Sequence, residues 1–314
     1  MLFNSLEFCL FFFLVYGTYI VLVHRAQNVL LLLASYLFYG WWDWRFLFLI
    51  AASTVIDFIC GIQLDSSASE RGRKTWLTIS MTANLGILGV FKYYNFFVDN
   101  LERVLTPMGL SMDMTVASIV LPVGISFYTF QTMSYTIDIY RGELKPTRNF
   151  LNFAVFVAYF PQLVAGPIER ARVLLPQIEK PRHIHYQQIR DGFRLVLLGY
   201  ILKLVVAENM APFTRTLFGA PENQHGLNVL FGLYAAAFQI LGDFAGYTNI
   251  ARGISKMMGI ELMRNFDQPY LATNPSDFWR RWHISLSTWL RDYLYISLGG
   301  NRGGSFLLYR NLMI

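Results

Sequence analysis

The chain of 314 residues is 54% hydrophobic and 17% aromatic, with 15% charged side chains and a mean hydropathy of +0.38. That excludes an ordinary soluble domain and makes the bilayer the expected solvent. The net charge of +6 comes from short basic runs between apolar segments, which fits loops beside an anionic leaflet, so no nucleic-acid partner is expected.

Leu6 to Val23 has the length to cross the hydrocarbon core. With no basic region before it and no small-residue cleavage site after it, it reads as an uncleaved transmembrane helix. Val29 to Tyr39 is shorter and runs into Trp41, Trp42 and Trp44, a cluster suited to a membrane interface. Phe46 to Ile62 is a further span whose Asp57 must face protein or water. After a polar loop from Gln63 to Thr75, Trp76 to Phe91 crosses back, and Lys92 to Thr115 reads as an amphipathic surface segment. Val116 to Ile139 spans again, with Pro122 and Gly124 as kink points and Gln131 and Asp138 on an inward polar face. Cys9 and Cys60 fall inside apolar runs and read as membrane-buried thiols, not as a disulfide or metal site.

Placing the loops of Arg25, Arg71 and Arg141 in the cytoplasm puts the first residue outside. Phe150 to Leu163 breaks that alternation, because a second basic stretch, Glu169 to Arg194, follows it. Pro161, Gly166 and Pro167 suit a re-entrant segment wrapped by protein or water, the alternative being an ordinary span. His183, His185 and His225 read as solvated loop residues without metal-ligand spacing. Phe193 to Ala207 is apolar and Glu208 to Gly226 is a polar loop. Leu227 to Leu241 and Phe244 to Ile260 are apolar stretches divided by Gly242 and Asp243. Phe306 to Ile314 is a last apolar run that stops without a cap. The expected fold is all-α: a polytopic integral membrane protein of roughly eight to ten embedded segments, one domain over residues 1–314, incomplete at its C-terminus.

The polar chemistry is concentrated between Asn274 and Arg302. Asn274, Pro275 and Asp277 form a helix start, with a capping side chain, a proline at the first helical position and a carboxylate that reaches back. On one continuous helix Phe278, Trp282, Leu286, Trp289 and Tyr293 share a stripe. His283 lies beside it, with Trp279 and Ser287 one turn away on either side and Arg280 nearby. On chemistry alone His283 reads either as a packing residue or as a base beside Ser287 and two arginines that hold an anionic group. Arg280 and Arg281 equally suit interfacial snorkelling. Gly299, Gly300, Gly303 and Gly304 around Asn301 and Arg302 read as a turn between helices or as an anion cradle.

The run DFWRRWHISLSTWLRDYLYISLGGNR, Asp277 to Arg302, closely resembles the signature of the membrane-bound O-acyltransferase family, in its bacterial branch for alginate and other envelope polysaccharides. Further stretches agree in order: LLLASYLFYGWW from Leu31, VLPVGISFYTFQTMSYTIDIYRGE from Val120, YFPQLVAGPIER from Tyr159 and DFAGYTNIARGISKMMGI from Asp243. The resemblance implies a many-helix enzyme of the bacterial inner membrane. It would carry an acyl group, acetyl above all, from a cytoplasmic thioester to hydroxyls of an exported polysaccharide. The donor would be acetyl-coenzyme A or an acyl carrier thioester, with no bound cofactor and no metal. Membrane lipid, the polysaccharide acceptor and a periplasmic acetylation partner protein would be its associates. His283 matches the first of two characteristic histidines. The second is expected past Ile314, in a Leu-Trp-His-Gly type motif, so the chain is expected to be part of a longer enzyme. Trp279, Arg280, Arg281, Trp282, Ser287, Asp243 and Asn301 would shape the donor or substrate site. The rival class is a transporter or flippase, motivated by the broken Pro161 to Pro167 segment and the carboxylates of Asp57, Asp138 and Asp243.

Overall fold

The computed structural model describes residues 1–108, 120–219, 225–302 and 304–313, and every regular element within them is helical. Gly303, Ile314, and the parts of the expected segments at 109–119 and 220–224 lie outside the described residues.

Helix α1 (Leu6–Tyr19) is capped by Ser5, whose Oγ accepts the Phe8 amide. At 1.5 Å per residue it is about 21 Å long, shorter than the hydrocarbon core, because the chain turns after Tyr19 instead of continuing to Val23. Helix α2 (His24–Gly40) contains the expected Val29 to Tyr39 segment and leaves Trp41, Trp42 and Trp44 exposed. Helix α3 (Leu47–Ser66) follows a 3-10 turn capped by Asp43.

Helix α4 (Glu70–Leu105) overturns the division into loop, crossing and surface segment. It is one helix of 36 residues, capped by Ser69. Ser80, Asn84 and Leu88 recur at i, i+4 and i+8 on its buried face, the helical spacing of a packed stripe. Helix α5 (Ile125–Tyr140) begins after Gly124 at φ +77, where an added Cβ would meet the Leu163 carbonyl. The inward polar face is present, since Thr129, Gln131, Thr132, Ser134, Thr136 and Asp138 are all buried. Asp57 faces this interior. It accepts hydrogen bonds from Ser80 Oγ (2.5 Å) and from Asn84 Nδ2 (3.0 and 2.8 Å), while Ser80 and Thr136 meet at 3.0 Å.

The broken segment is helix α6 (Phe150–Ala158) and a single turn α7 (Phe160–Leu163), interrupted at Tyr159. Residues 153–163 are buried, so each freed backbone group needs a protein partner. Ser35 Oγ accepts the Phe160 amide (3.0 Å), and the Phe156 carbonyl accepts from the Gln131 and Gln162 side chains (2.5 and 3.0 Å). Helix α8 (Ala171–Glu179) occupies part of what reads as a basic loop.

Helix α9 (Tyr186–Tyr200), a π-helical turn (Ile201–Ala207) and helix α10 (Glu208–Gly219) form one continuous run of 34 residues, so Glu208 to Gly219 is helix and not loop. Helix α11 (Leu227–Met257) likewise unites two expected stretches across Gly242 and Asp243. Gly242 is a contact and not a break: a Cβ there would lie 2.8 Å from the Leu202 carbonyl oxygen. Four and eleven residues on, Gly246 faces Gly199 at the same 2.8 Å limit and at Gly253 the Gly192 carbonyl is closer still. Small residues at this spacing let two backbones pack without a side-chain layer between them. Trp44–Ser66, Tyr186–Gly219 and Leu227–Met257 are long and apolar enough to cross a membrane. The remaining elements are α12 (Pro275–Arg281), α13 (Ile284–Trp289), a π-helical turn (Leu290–Tyr295) and α14 (Ser305–Met313). Gly299 and Gly300, at φ +105 and +58, make the turn before α14.

Candidate active site

The start of α12 forms as its residues require. Asn274 Oδ1 accepts the Asp277 amide (2.9 Å), Asp277 Oδ2 accepts the Thr273 amide (3.3 Å), and Asp277 Oδ1 pairs with Arg281 Nε at 3.0 Å. This pairing and the Thr273 amide hold the Asp277 carboxyl below its ordinary range. The helix then ends at Arg281, which corrects the continuous helix expected from the aromatic stripe. Trp282 is extended and His283 takes φ +42, ψ +55. A left-handed conformation costs a residue with a Cβ about 1–2 kcal/mol, so it persists only where the surroundings enforce it.

Two features enforce it. The segment 265–267 pairs with the chain on both sides of the histidine: Asp267 N–H donates to the Arg281 carbonyl (2.9 Å), and Ile284 N–H donates to the Asn265 carbonyl (2.9 Å). The segment 168–169 then locks the far side, where Ile168 N–H donates to Ser285 Oγ (3.0 Å) and Glu169 Oε1 accepts the Met263 amide (2.6 Å). Glu169 is fully buried. Burial pushes its carboxyl up to about 7 against the opposing pull of the Met263 amide, Arg252 and Arg170.

The imidazole points into an aromatic box. Its centroid lies 4.8 Å from that of Phe244, edge-on, and 6.3 and 6.4 Å from Phe127 and Phe266. Nε2 is buried without a hydrogen-bond partner. Burial alone pulls the ring down to about 4, so it is neutral at physiological pH. A neutral imidazole offers one donor and one acceptor nitrogen, and no group of the protein bonds Nε2.

Other residues of the stripe serve elsewhere. Trp282 stacks with Phe278 and Tyr270 (5.5 and 6.1 Å) and meets Phe266 edge-on at 5.0 Å. Trp289 donates Nε1–H to the Phe130 carbonyl (2.8 Å). Tyr293 donates its hydroxyl to Asp138 (2.7 Å) while Arg141 and Arg170 lie against its ring at 5.1 and 4.7 Å. Ser287 Oγ donates to the Trp282 carbonyl (3.1 Å), so its hydroxyl is held one turn from the histidine by the break itself. Arg281 is half-buried, whereas Trp279, Arg280 and Asn301 are exposed. Asp243 pairs with Lys203 of the π-helical turn at 2.5 Å, and its neighbour Phe244 supplies the box wall. A cavity of about 460 Å³ between α9, α11 and the 264–269 loop reaches Phe266, with Asn249 and Arg252 among its lining residues.

Phe127, Phe244, Phe266, Asn265 and Glu169 were not picked out as site residues by sequence. Three of them lie inside stretches carrying the family resemblance, which was the available signal: Phe127 after Val120, Glu169 after Tyr159, and Phe244 after Asp243.

The membrane-bound O-acyltransferase family model matches residues 140–313. Along its whole length the chain is 43% identical to "Probable alginate O-acetylase AlgI" of Azotobacter vinelandii, covering 63% of that protein. It is 33% identical to the "Peptidoglycan O-acetyltransferase" of Helicobacter pylori, covering 65% of it. Over 55% of its length it is 32% identical to 45% of the "Teichoic acid D-alanyltransferase" of Bacillus subtilis. The chain thus spans 60–65% of the length of the curated relatives it matches throughout. The family match runs through the break at His283 and both of the loops that hold it, and the chain belongs to the membrane-bound O-acyltransferase family.

Proposed function

We propose that the chain is the larger part of a membrane O-acyltransferase that passes an acyl group, acetyl above all, from a cytoplasmic thioester to hydroxyls of an envelope polysaccharide. The observation that carries this is the neutral, buried, unpartnered Nε2 of His283 in its aromatic box. Relatives named for alginate, peptidoglycan and teichoic acid support a glycan or glycan-like acceptor.

In the transfer, the acceptor oxygen attacks the thioester carbonyl carbon, the carbon–sulfur bond breaks, and the hydroxyl proton ends on the departing thiolate. His283 serves as the group that meets the hydroxyl or the carbonyl through Nε2. Its apolar surroundings exclude water, which protects the thioester and strengthens each polar contact within the box. The cavity beside Phe266 is the space for the acyl-bearing arm of the donor. Acetyl-coenzyme A and an acyl carrier thioester fit this equally. The inner membrane and a partner protein on its far side belong to the same reading, because the acceptor is exported. Of the carboxylates that would mark a transport path, Asp57 is engaged by Ser80 and Asn84, Asp243 by Lys203, and one oxygen of Asp138 by Tyr293.

The test is acyl incorporation into polysaccharide by the full-length protein and by its His283→Ala variant, at matched abundance. Undiminished transfer by the variant removes His283 from the reaction. Substrate translocation without consumption of a thioester would replace the whole reading by transport.

A further inference from the structure

The geometry points to Asn265 as the positioning residue of the histidine site, capping α13 from across the chain and thereby holding His283 in its left-handed conformation. A helix start leaves its first amides without intrahelical acceptors, and the residue before the helix ordinarily supplies one from its side chain. At α13 that residue is His283, and its ring makes no capping bond. Asn265, eighteen residues earlier, does the work twice. Its carbonyl accepts the Ile284 amide (2.9 Å) and its Oδ1 accepts the Ser285 amide (3.2 Å).

Five further facts make this a built arrangement. Asn265 is 1% exposed and Ser285 is 0% exposed, so the Ser285 amide is sealed from water and loses its acceptor outright if the Asn265 side chain is removed or displaced. Phe266, the next residue, is a wall of the His283 box and also packs on Trp282. The Asp267 amide fastens to the Arg281 carbonyl, so residues 265–267 clamp the chain on both sides of Trp282 and His283. The preceding loop is anchored by Glu169 at the Met263 amide. Asn265 Nδ2 is buried without a partner, which leaves its oxygen as the atom that acts on α13.

The inference deepens the acyl-transfer reading and rests on it for its activity arm, while its structural arm stands alone. In the full-length protein, Asn265→Ala should lower the turnover of acyl transfer at least 10-fold with the donor KM changed less than about 2-fold, because the histidine and not the binding surface is displaced. Asn265→Asp, which keeps oxygens where Oδ1 stands, should recover most of the rate. Asn265→Gln, which carries the amide one methylene too far, should not. In parallel, hydrogen exchange of the Ser285 amide, the one bonded to the Asn265 side chain, should accelerate in the Ala and Gln variants and stay slow in the Asp variant. Melting of the purified proteins shows whether each variant is folded.

Wild-type turnover together with slow exchange in Asn265→Ala overturns the inference. Slow exchange but lost turnover in Asn265→Asp also overturns it, transferring the role to direct contact through Nδ2. If Asn265→Ala does not fold, the Asp and Gln pair decides by the same two readouts. If the unaltered protein transfers no acyl group, the acyl-transfer reading fails, and the exchange arm still decides the role of Asn265.

Discussion

Two buried polar groups in this apolar protein have been treated in opposite ways. Asp57, between α3, α4 and α5, is 0% exposed and receives three hydrogen bonds from Ser80 and Asn84, which are held in turn by Ser53, Thr132 and Thr136. His283 is held just as firmly through its backbone, yet its ring faces phenylalanines and Nε2 has no partner. The difference fits Asp57 as a helix-packing group and the chemical role proposed above for His283.

The largest effect should come from His283→Ala in the full-length protein: a loss of roughly 100-fold or more in acyl transfer, with the melting temperature within about 3 °C of the parent. An unfolded variant would break the comparison by making His283 structural. Asp57→Leu should do the reverse. It strands the Ser80 hydroxyl and Asn84 amide, costs about 3 kcal/mol or more, and lowers transfer only as far as it lowers the amount of folded protein in a detergent melt. Smaller again is Tyr293→Phe, which removes the hydroxyl bonded to Asp138; the same melt should read about 1–3 kcal/mol.

The smallest effect is a pH dependence of opposite sign at the two titrating groups of the site. Glu169, raised to about 7 from an ordinary value near 4.5, holds its proton more tightly when folded. Its stabilising contribution is complete below about 4.5 and is lost as pH rises through 7. His283, lowered to about 4 from near 6.5, holds its proton less tightly when folded, so its contribution is complete above 6.5 and is lost as pH falls toward 4. Between pH 5 and 8, Glu169→Gln should therefore abolish a fall in melting temperature on the alkaline side, and His283→Gln a fall on the acid side.

Much of the architecture could be read from residue types. The inward face of α5 followed from Gln131 and Asp138, the protein-facing Asp57 from its cost in lipid, and the start of α12 from Asn274, Pro275 and Asp277. The break at His283 could not. No glycine or proline lies between Asp277 and Trp289, and the local pattern is that of an unbroken helix. What breaks it is Asn265 and Ile168, partners distant in the chain. The reverse error occurred at Gly242 and Asp243, which look like a break and lie inside α11. The signal there was the recurrence of Gly192 and Gly199 opposite Gly246 and Gly253, a pairing that only the packed helices reveal.

That glycine seam also decides which parts of the protein can move. Where two backbones touch directly, there is no layer of rotamers on which one helix can slide past the other. The run from Tyr186 to Gly219 and α11 therefore behave as a single stiff spine. Phe244 projects from that spine into the box around His283. One wall of the site is fixed by that spine, and the sides that face it are pinned at 168–169 and 265–267 by the bonds to Ser285, Met263, Arg281 and Ile284.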